Sequence, residues 1–185
     1  LMREVPFGDD GDFSHSAVIS RINSELSNDF GNLAQRVLSM INKNCDGKIP
    51  QYGDLTGEDT DFLNGIDSLL FTVRESIDVQ AFHSALEKIW AEIRSSNHYI
   101  DQQAPWALKK TDPEEMKRVL ANISLCIIRV TQYLSPFMPL KSKEVFKLFD
   151  NLDDIDLFHF DNFEKIKSLN HFKINKPEPL FTKIE

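Results

Sequence analysis

A chain of 185 residues, 41% apolar and carrying a formal charge of −8, can bury one sizeable core but not two comfortable ones. It contains no run of about 18 apolar residues, so no membrane-spanning helix is expected. Its acidic start, LMREVPFGDD, lacks the apolar stretch of a secretory leader. Taken alone, the acid excess argues against nucleic-acid binding, because phosphate contact favours basic surfaces. That excess is uneven, however. Residues 144–164 hold seven acids and one base, whereas 94–118 and 28–48 each carry a net charge of +1. An RNA-tolerant face outside the acidic stretch therefore remains open.

In chain order, residues 1–13 read as a connector, punctuated by Pro6, Gly8 and Gly11. The chain begins at Leu1 rather than methionine, which reads as a piece of a longer protein. Ser14 can cap a first helix whose apolar positions, Val18, Ile22, Leu26, Phe30, Leu33, Val37 and Ile41, recur at spacings of three and four. Gly31 costs such a helix about 1 kcal/mol against alanine, which predicts a kink or a close approach there. Asp46, Gly47 and Pro50 stop the helix. A second begins near Thr56, with Asp59 three positions on, and runs to about Ile77. Asp78 is a candidate cap for a third, through Phe82, Leu86, Ile89, Trp90, Ile93 and Tyr99, which Pro105 ends.

A fourth helix opens at TDPEE, with Asp112 as cap and Pro113 in the first turn. A single core-facing stripe, Met116, Val119, Leu120, Ile123, Ile127, Val130 and Leu134, carries it towards Pro136. Short helical pieces are expected over 142–148 and 162–169, then an extended tail lying across the bundle. No strand pattern competes. The expected fold is mostly α, an antiparallel helical bundle over 14–151, with 152–185 as an extension packing back on it.

Most chemistry is missing. Five histidines make no i,i+4 pair, and no GxSxG, Walker or GxGxxG sequence occurs. No catalytic residue is therefore expected in this chain. Cys45 and Cys126 lie far apart without nearby metal-ligand partners, so free thiols in a reducing, cytoplasmic setting are expected. The stretch 42–53, NKNCDGKIPQYG, imitates a calcium loop, but Gly53 stands where a bidentate glutamate is required and only one carboxylate is present. It is read as a helix end and loop, and DDGD at 9–12 as a solvated turn. No metal site is expected.

Two features remain. Trp106 follows Pro105 in a polar break between Gln102, Gln103, Lys109 and Lys110. It can be a lid over the end of the core, or a platform for an unpaired base, where stacking contributes about 1–3 kcal/mol. Asn32 and Arg36 are four apart and so lie one above the other, with Ser39 and Lys43 continuing the stripe. An amide beside a guanidinium fork can read the edge of a splayed base, although such stripes are also the ordinary wet side of a helix.

The order VPFGDDGDFS, NDFGNLAQRVLSM, NHYIDQQAPWALKK, YLSPFMP and a closing PLFTKIE resembles the anticodon-binding domain of methionyl-tRNA synthetases, in bacterial or organellar form. The combination of GNLAQR with QAPW is its most specific part. The resemblance implies a class I aminoacyl-tRNA synthetase, a methionine–tRNA ligase, whose catalytic domain precedes Leu1. That domain would be the module's partner within the same chain. ATP and Mg²⁺ would serve it there, with no cofactor in this portion. It further implies that Asn32 and Arg36 hydrogen-bond the first base of the CAU anticodon of tRNA(Met). Trp106 would stack on a flipped-out anticodon base, with Pro105 holding the indole. Tyr99 and Asn97 read as packing residues. Neither DNA nor a membrane is an expected partner. The acidic charge predicts few phosphate contacts. The rival reading is a helical protein–protein interaction module, with Trp106 as its anchor.

Overall fold

The computed structural model describes residues 2–5, 7–11, 14–51, 53–150, 159–162, 173–176 and 178–184. The expected helix over 162–169 and the boundary at 151/152 lie almost wholly outside the described residues.

The first helical run spans 15–44 but is not uniform. Helix α1 (His15–Arg21) starts at Ser14, whose Oγ accepts the Ala17 N–H at 3.3 Å. A π-helical segment follows (Ile22–Gly31), and α2 (Asn32–Asn44) completes the run. At the junction the Asn32 N–H donates to the Ser27 carbonyl, five residues back. Gly31 sits where a Cβ would lie 3.0 Å from the Leu26 carbonyl oxygen and 3.4 Å from the Phe181 ring. The expected special role of this glycine is a close approach within a widened turn.

Helix α3 (Gly57–Asp78) opens with the capping box that Thr56 and Asp59 form. Asp78 does not cap the next helix, contrary to the expectation from sequence. It is the last residue of α3, and the chain turns through Val79, Gln80 (φ 59°) and Ala81 into α4 (Phe82–Gln103). The turn is too tight to leave Asp78 at the start of a new helix. Ala104 then adopts a left-handed conformation (φ 41°, ψ 56°), which costs an alanine roughly 1 kcal/mol or more. That reversal starts α5 (Pro105–Thr111), and Asp112 caps α6 (Pro113–Leu134) as expected, accepting the Glu115 N–H at 3.0 Å. Helix α7 (Pro139–Phe146) begins three residues before the predicted piece because proline suits a first turn.

Helix α6 is the axis of the fold. Helices α2, α3, α4, α5 and α7 all pack against it, and every residue from 118 to 134 is buried. The single apolar stripe expected from the sequence understates this. Polar residues on its other faces are buried because they bond locally: Ser124 to the Leu120 carbonyl, Thr131 to the Ile127 carbonyl, Arg129 to Gln132. Tyr133 ties α6 to α3, its hydroxyl donating to the Ile66 carbonyl at 2.8 Å.

A two-stranded antiparallel sheet, not expected from the sequence, joins β1 (Phe149–Asp150) to β2 (Lys173–Ile174), with Phe149 opposite Ile174. Two residues are too few for an alternating pattern to be visible in sequence. The turn after α2, residues 45–48, anchors this sheet. Its Gly47 carbonyl accepts the Ile174 N–H at 2.8 Å, and Lys48 bridges to Lys173. Cys45 and Cys126 are both unbridged, and Cys126 is buried against the Ser96 hydroxyl at 2.8 Å.

Candidate nucleic-acid interface

The break at Ala104 positions the aromatic part of the site. Left-handed Ala104 and the fixed φ of proline turn the chain so that Pro105 is buried while Trp106 keeps 46% of its surface exposed. Asn32 is the first residue of α2 and Arg36 lies one turn further on, both exposed, because Leu33, Ala34, Val37 and Leu38 fill the opposite, core-facing side.

The tertiary fold brings the two stretches together. The Arg36 guanidinium carbon lies 5.0 Å from the centroid of the Trp106 ring, a cation–π contact. Its Nη2 donates to Asp101 Oδ1 at 2.8 Å. The fork is thus held between the last turn of α4 and the first residues of α5. Asp101 is not recognisable from sequence. It sits five residues before Trp106 in YIDQQAPW, and nothing local indicates that its carboxylate meets α2. Lys43, Lys109 and Lys110 are exposed on the same two helices.

Two residues before Asp101 on α4, Tyr99 enters a buried polar network. Tyr99 stacks on Phe62 with centroids 4.1 Å apart and planes 2° from parallel. Its hydroxyl donates to Asp59 Oδ1 at 2.6 Å and accepts from Asn122 at 3.2 Å. Asp59, fully buried, also receives the Thr56 N–H and hydroxyl, both at 2.8 Å, and the Arg118 guanidinium. Burial alone would raise the Asp59 carboxyl. Hydrogen bonds from Tyr99 and Thr56, with the charge of Arg118, outweigh it and hold the group below its ordinary value. Burial pushes the Tyr99 phenol well above its ordinary value. Asn97 donates to the Asp29 carbonyl of the π-helical segment and to the Ile93 carbonyl, both at 3.0 Å. Tyr99 and Asn97 are packing residues, as expected from sequence.

Among the described residues, no three histidine, cysteine or acidic side chains gather as a metal site, and none of the helices is long and apolar enough to cross a membrane. An exposed amide, a guanidinium fork and a half-exposed indole on a helical bundle supply groups that can hydrogen-bond and stack on an unpaired base.

Comparison with known proteins narrows that reading. Residues 49–185 match the family described as the anticodon binding domain of methionyl tRNA ligase, and residues 1–38 match class I tRNA synthetases (M). The chain belongs to the methionyl-tRNA ligase family and includes its anticodon-binding domain. Asn32 and Arg36 fall in the stretch 1–38 and Trp106 in the stretch 49–185, so the site spans the two. The methionine–tRNA ligase of Brucella suis biovar 1 is 48% identical over 145 residues, covering 78% of this chain and 28% of that protein. That of Mycobacterium tuberculosis is 41% identical over 152 residues, covering 80% and 29%. The free-state crystal structure of Mycobacterium tuberculosis methionyl-tRNA synthetase superposes with a TM-score of 0.92 at 32% identity, over all of this chain and 37% of that one. The chain thus spans under a third of the length of these curated relatives. These matches do not favour the protein–protein interaction reading.

Proposed function

We propose that this domain recognises the CAU anticodon of tRNA(Met), through Asn32 and Arg36 for the first base and Trp106 for stacking. The observation that carries the reading is the contact of Arg36 with both Asp101 and the Trp106 ring. It places a pre-ordered donor fork beside an aromatic platform, one turn from an amide. The Watson–Crick edge of cytosine offers one donor and two acceptors. The Asn32 carbonyl oxygen suits the donor, and the Arg36 fork suits the acceptors. Uracil presents a donor where cytosine presents its ring acceptor, and it would face Arg36 with unmatched protons at a cost of about 1–3 kcal/mol. Trp106 is exposed because its surface serves the base, and buried Pro105 fixes the indole's base.

The same reading extends to the longer protein. It is a cytoplasmic methionine–tRNA ligase of class I whose catalytic domain precedes this one. ATP and Mg²⁺ act in that domain, and this chain's own residues bind and orient the tRNA.

The test is a titration with two RNA hairpins differing only in the anticodon, CAU against UAU, at low salt. Tryptophan fluorescence is the signal, with Trp106→Phe as the control for Trp90. Preference for CAU that weakens in the variant supports base readout here. Equal binding of both hairpins sinks it.

A further inference from the structure

The residues just before Asn32 form a π-helical run, and the tail of the chain is fastened to them. Asn23 makes a two-point clasp with the backbone of Ile184. Its Nδ2 donates to the Ile184 carbonyl and its Oδ1 accepts the Ile184 N–H, both at 2.9 Å. One turn on, the Ser27 hydroxyl donates to the Phe181 carbonyl at 3.3 Å. The Phe181 ring then lies against Gly31 and Phe30, with 6.3 Å between the two ring centroids. Lys141 closes the far side, donating to the Leu180 carbonyl at 3.2 Å with its ammonium 5.7 Å from the Phe181 ring centroid.

A π-helical run needs such support. Its turns are wider than those of an α-helix, its hydrogen bonds are less favourable, and runs longer than one turn are uncommon. Here the run covers ten residues and ends at Gly31, directly before Asn32. Reverting one π turn to α would change the register by one residue, or about 100° about the helix axis. The core face of α2 cannot follow that rotation, because Leu33, Val37 and Ile41 are buried. The strain would concentrate at Gly31 and Asn32.

We propose that Asn23 and Phe181 are positioning residues for base readout. The tail, clasped by Asn23 and seated by Phe181 on Gly31, fixes the π-helical segment and thereby the first turn of α2 that presents Asn32. This rests on the anticodon reading above for its RNA consequence and on this packing alone for its structural one. A small side chain at 31 is part of the device, since a Cβ there would press on the Leu26 carbonyl and come into contact with Phe181.

The experiment compares the unaltered chain with Asn23→Ala, Asn23→Asp and Phe181→Ala, using the CAU and UAU hairpins, melting temperature and NMR. Asn23→Asp keeps the acceptor for the Ile184 N–H and loses the donor. The expected result is a fall of about tenfold in the CAU-to-UAU preference for Asn23→Ala and Phe181→Ala, consistent with a sub-ångström displacement of a reader. Asn23→Asp should fall between these and the unaltered chain. Without RNA, the side-chain amide resonance of Asn32 should move while the Trp106 indole resonance holds. A drop in melting temperature with an unchanged preference and an unmoved Asn32 amide would overturn the proposal and leave the tail as ordinary packing. Trp106→Ala is the separate control. If it too leaves the preference intact, the anticodon reading fails, and the Asn32 resonance alone then decides whether the tail positions that residue.

Discussion

The two ends of the polar chemistry in this domain behave in opposite ways. Asp59, Tyr99, Asn122 and Arg118 form a buried network centred on the Asp59 carboxylate, which Tyr99 and Arg118 both reach. Arg36, Asp101 and Trp106 form an exposed cluster joined by one ion pair and one ring contact. In the first, removing a group leaves a charge in a dry place, so the expected consequence is on folding. In the second, water replaces whatever is removed, so the expected consequence is on the ligand. The contrast separates residues that hold the platform from residues that use it.

The most severe break is Asp59→Ala. It leaves Arg118 buried without its main partner and should destabilise the fold by about 3–5 kcal/mol, read by urea or thermal unfolding. Should the loss be under about 1 kcal/mol, the network is not the support described here. The same carboxylate gives the comparison a pH axis. Its folded-state pKa lies below the ordinary carboxylate value, so its stabilising contribution is present above about pH 4 and is lost as pH falls below that. Urea midpoints taken from pH 6 to pH 3 should fall steeply for the unaltered chain and more gently for Asp59→Asn.

On the exposed side, Arg36→Gln should weaken CAU binding by about 1.5–3 kcal/mol, the worth of a hydrogen bond to a charged group, and should blunt discrimination at the first anticodon base. Loss of equal size for every anticodon would show that Arg36 supplies only charge. Trp106→Ala should cost about 1–3 kcal/mol of RNA binding with little change in melting temperature. A large melting shift instead would return the indole to the role of a lid. The smallest effect is expected for Asp101→Asn. An exposed pair is worth under about 1 kcal/mol to folding, so stability should barely change. Losing an anionic charge beside the RNA should tighten binding to both hairpins, measured as affinity against salt concentration.

Much of the helical layout is legible in the order of residues alone. The Thr56–Asp59 box, the Asp112–Pro113 start and the Ser14 cap are local devices, each complete within four residues. The expected Asp78 cap does not form because a three-residue turn through left-handed Gln80 is geometrically sufficient, and the sequence offers no glycine to mark it. The central placement of α6 is hidden because its buried serines, threonine and arginine bond to their own helix or to neighbouring helices, which a hydropathy stripe scores as surface. The π-helical segment is visible only as a costly glycine.

The sequence by itself determined the helix starts at Ser14, Thr56 and Asp112, that the chain is a helical bundle, and that Trp106 lies off the helical period beside Pro105. Periodicity and capping depend on neighbours within a turn or two, so they are written in order along the chain. Only the tertiary structure decided that Arg36 reaches Asp101, 65 residues away, that Asn23 clasps the backbone at Ile184, and that the Phe181 ring packs beside Gly31. These contacts depend on which faces of distant elements meet. That is settled by the packing of α2, α4 and the tail around α6, and no spacing within any one of them encodes it.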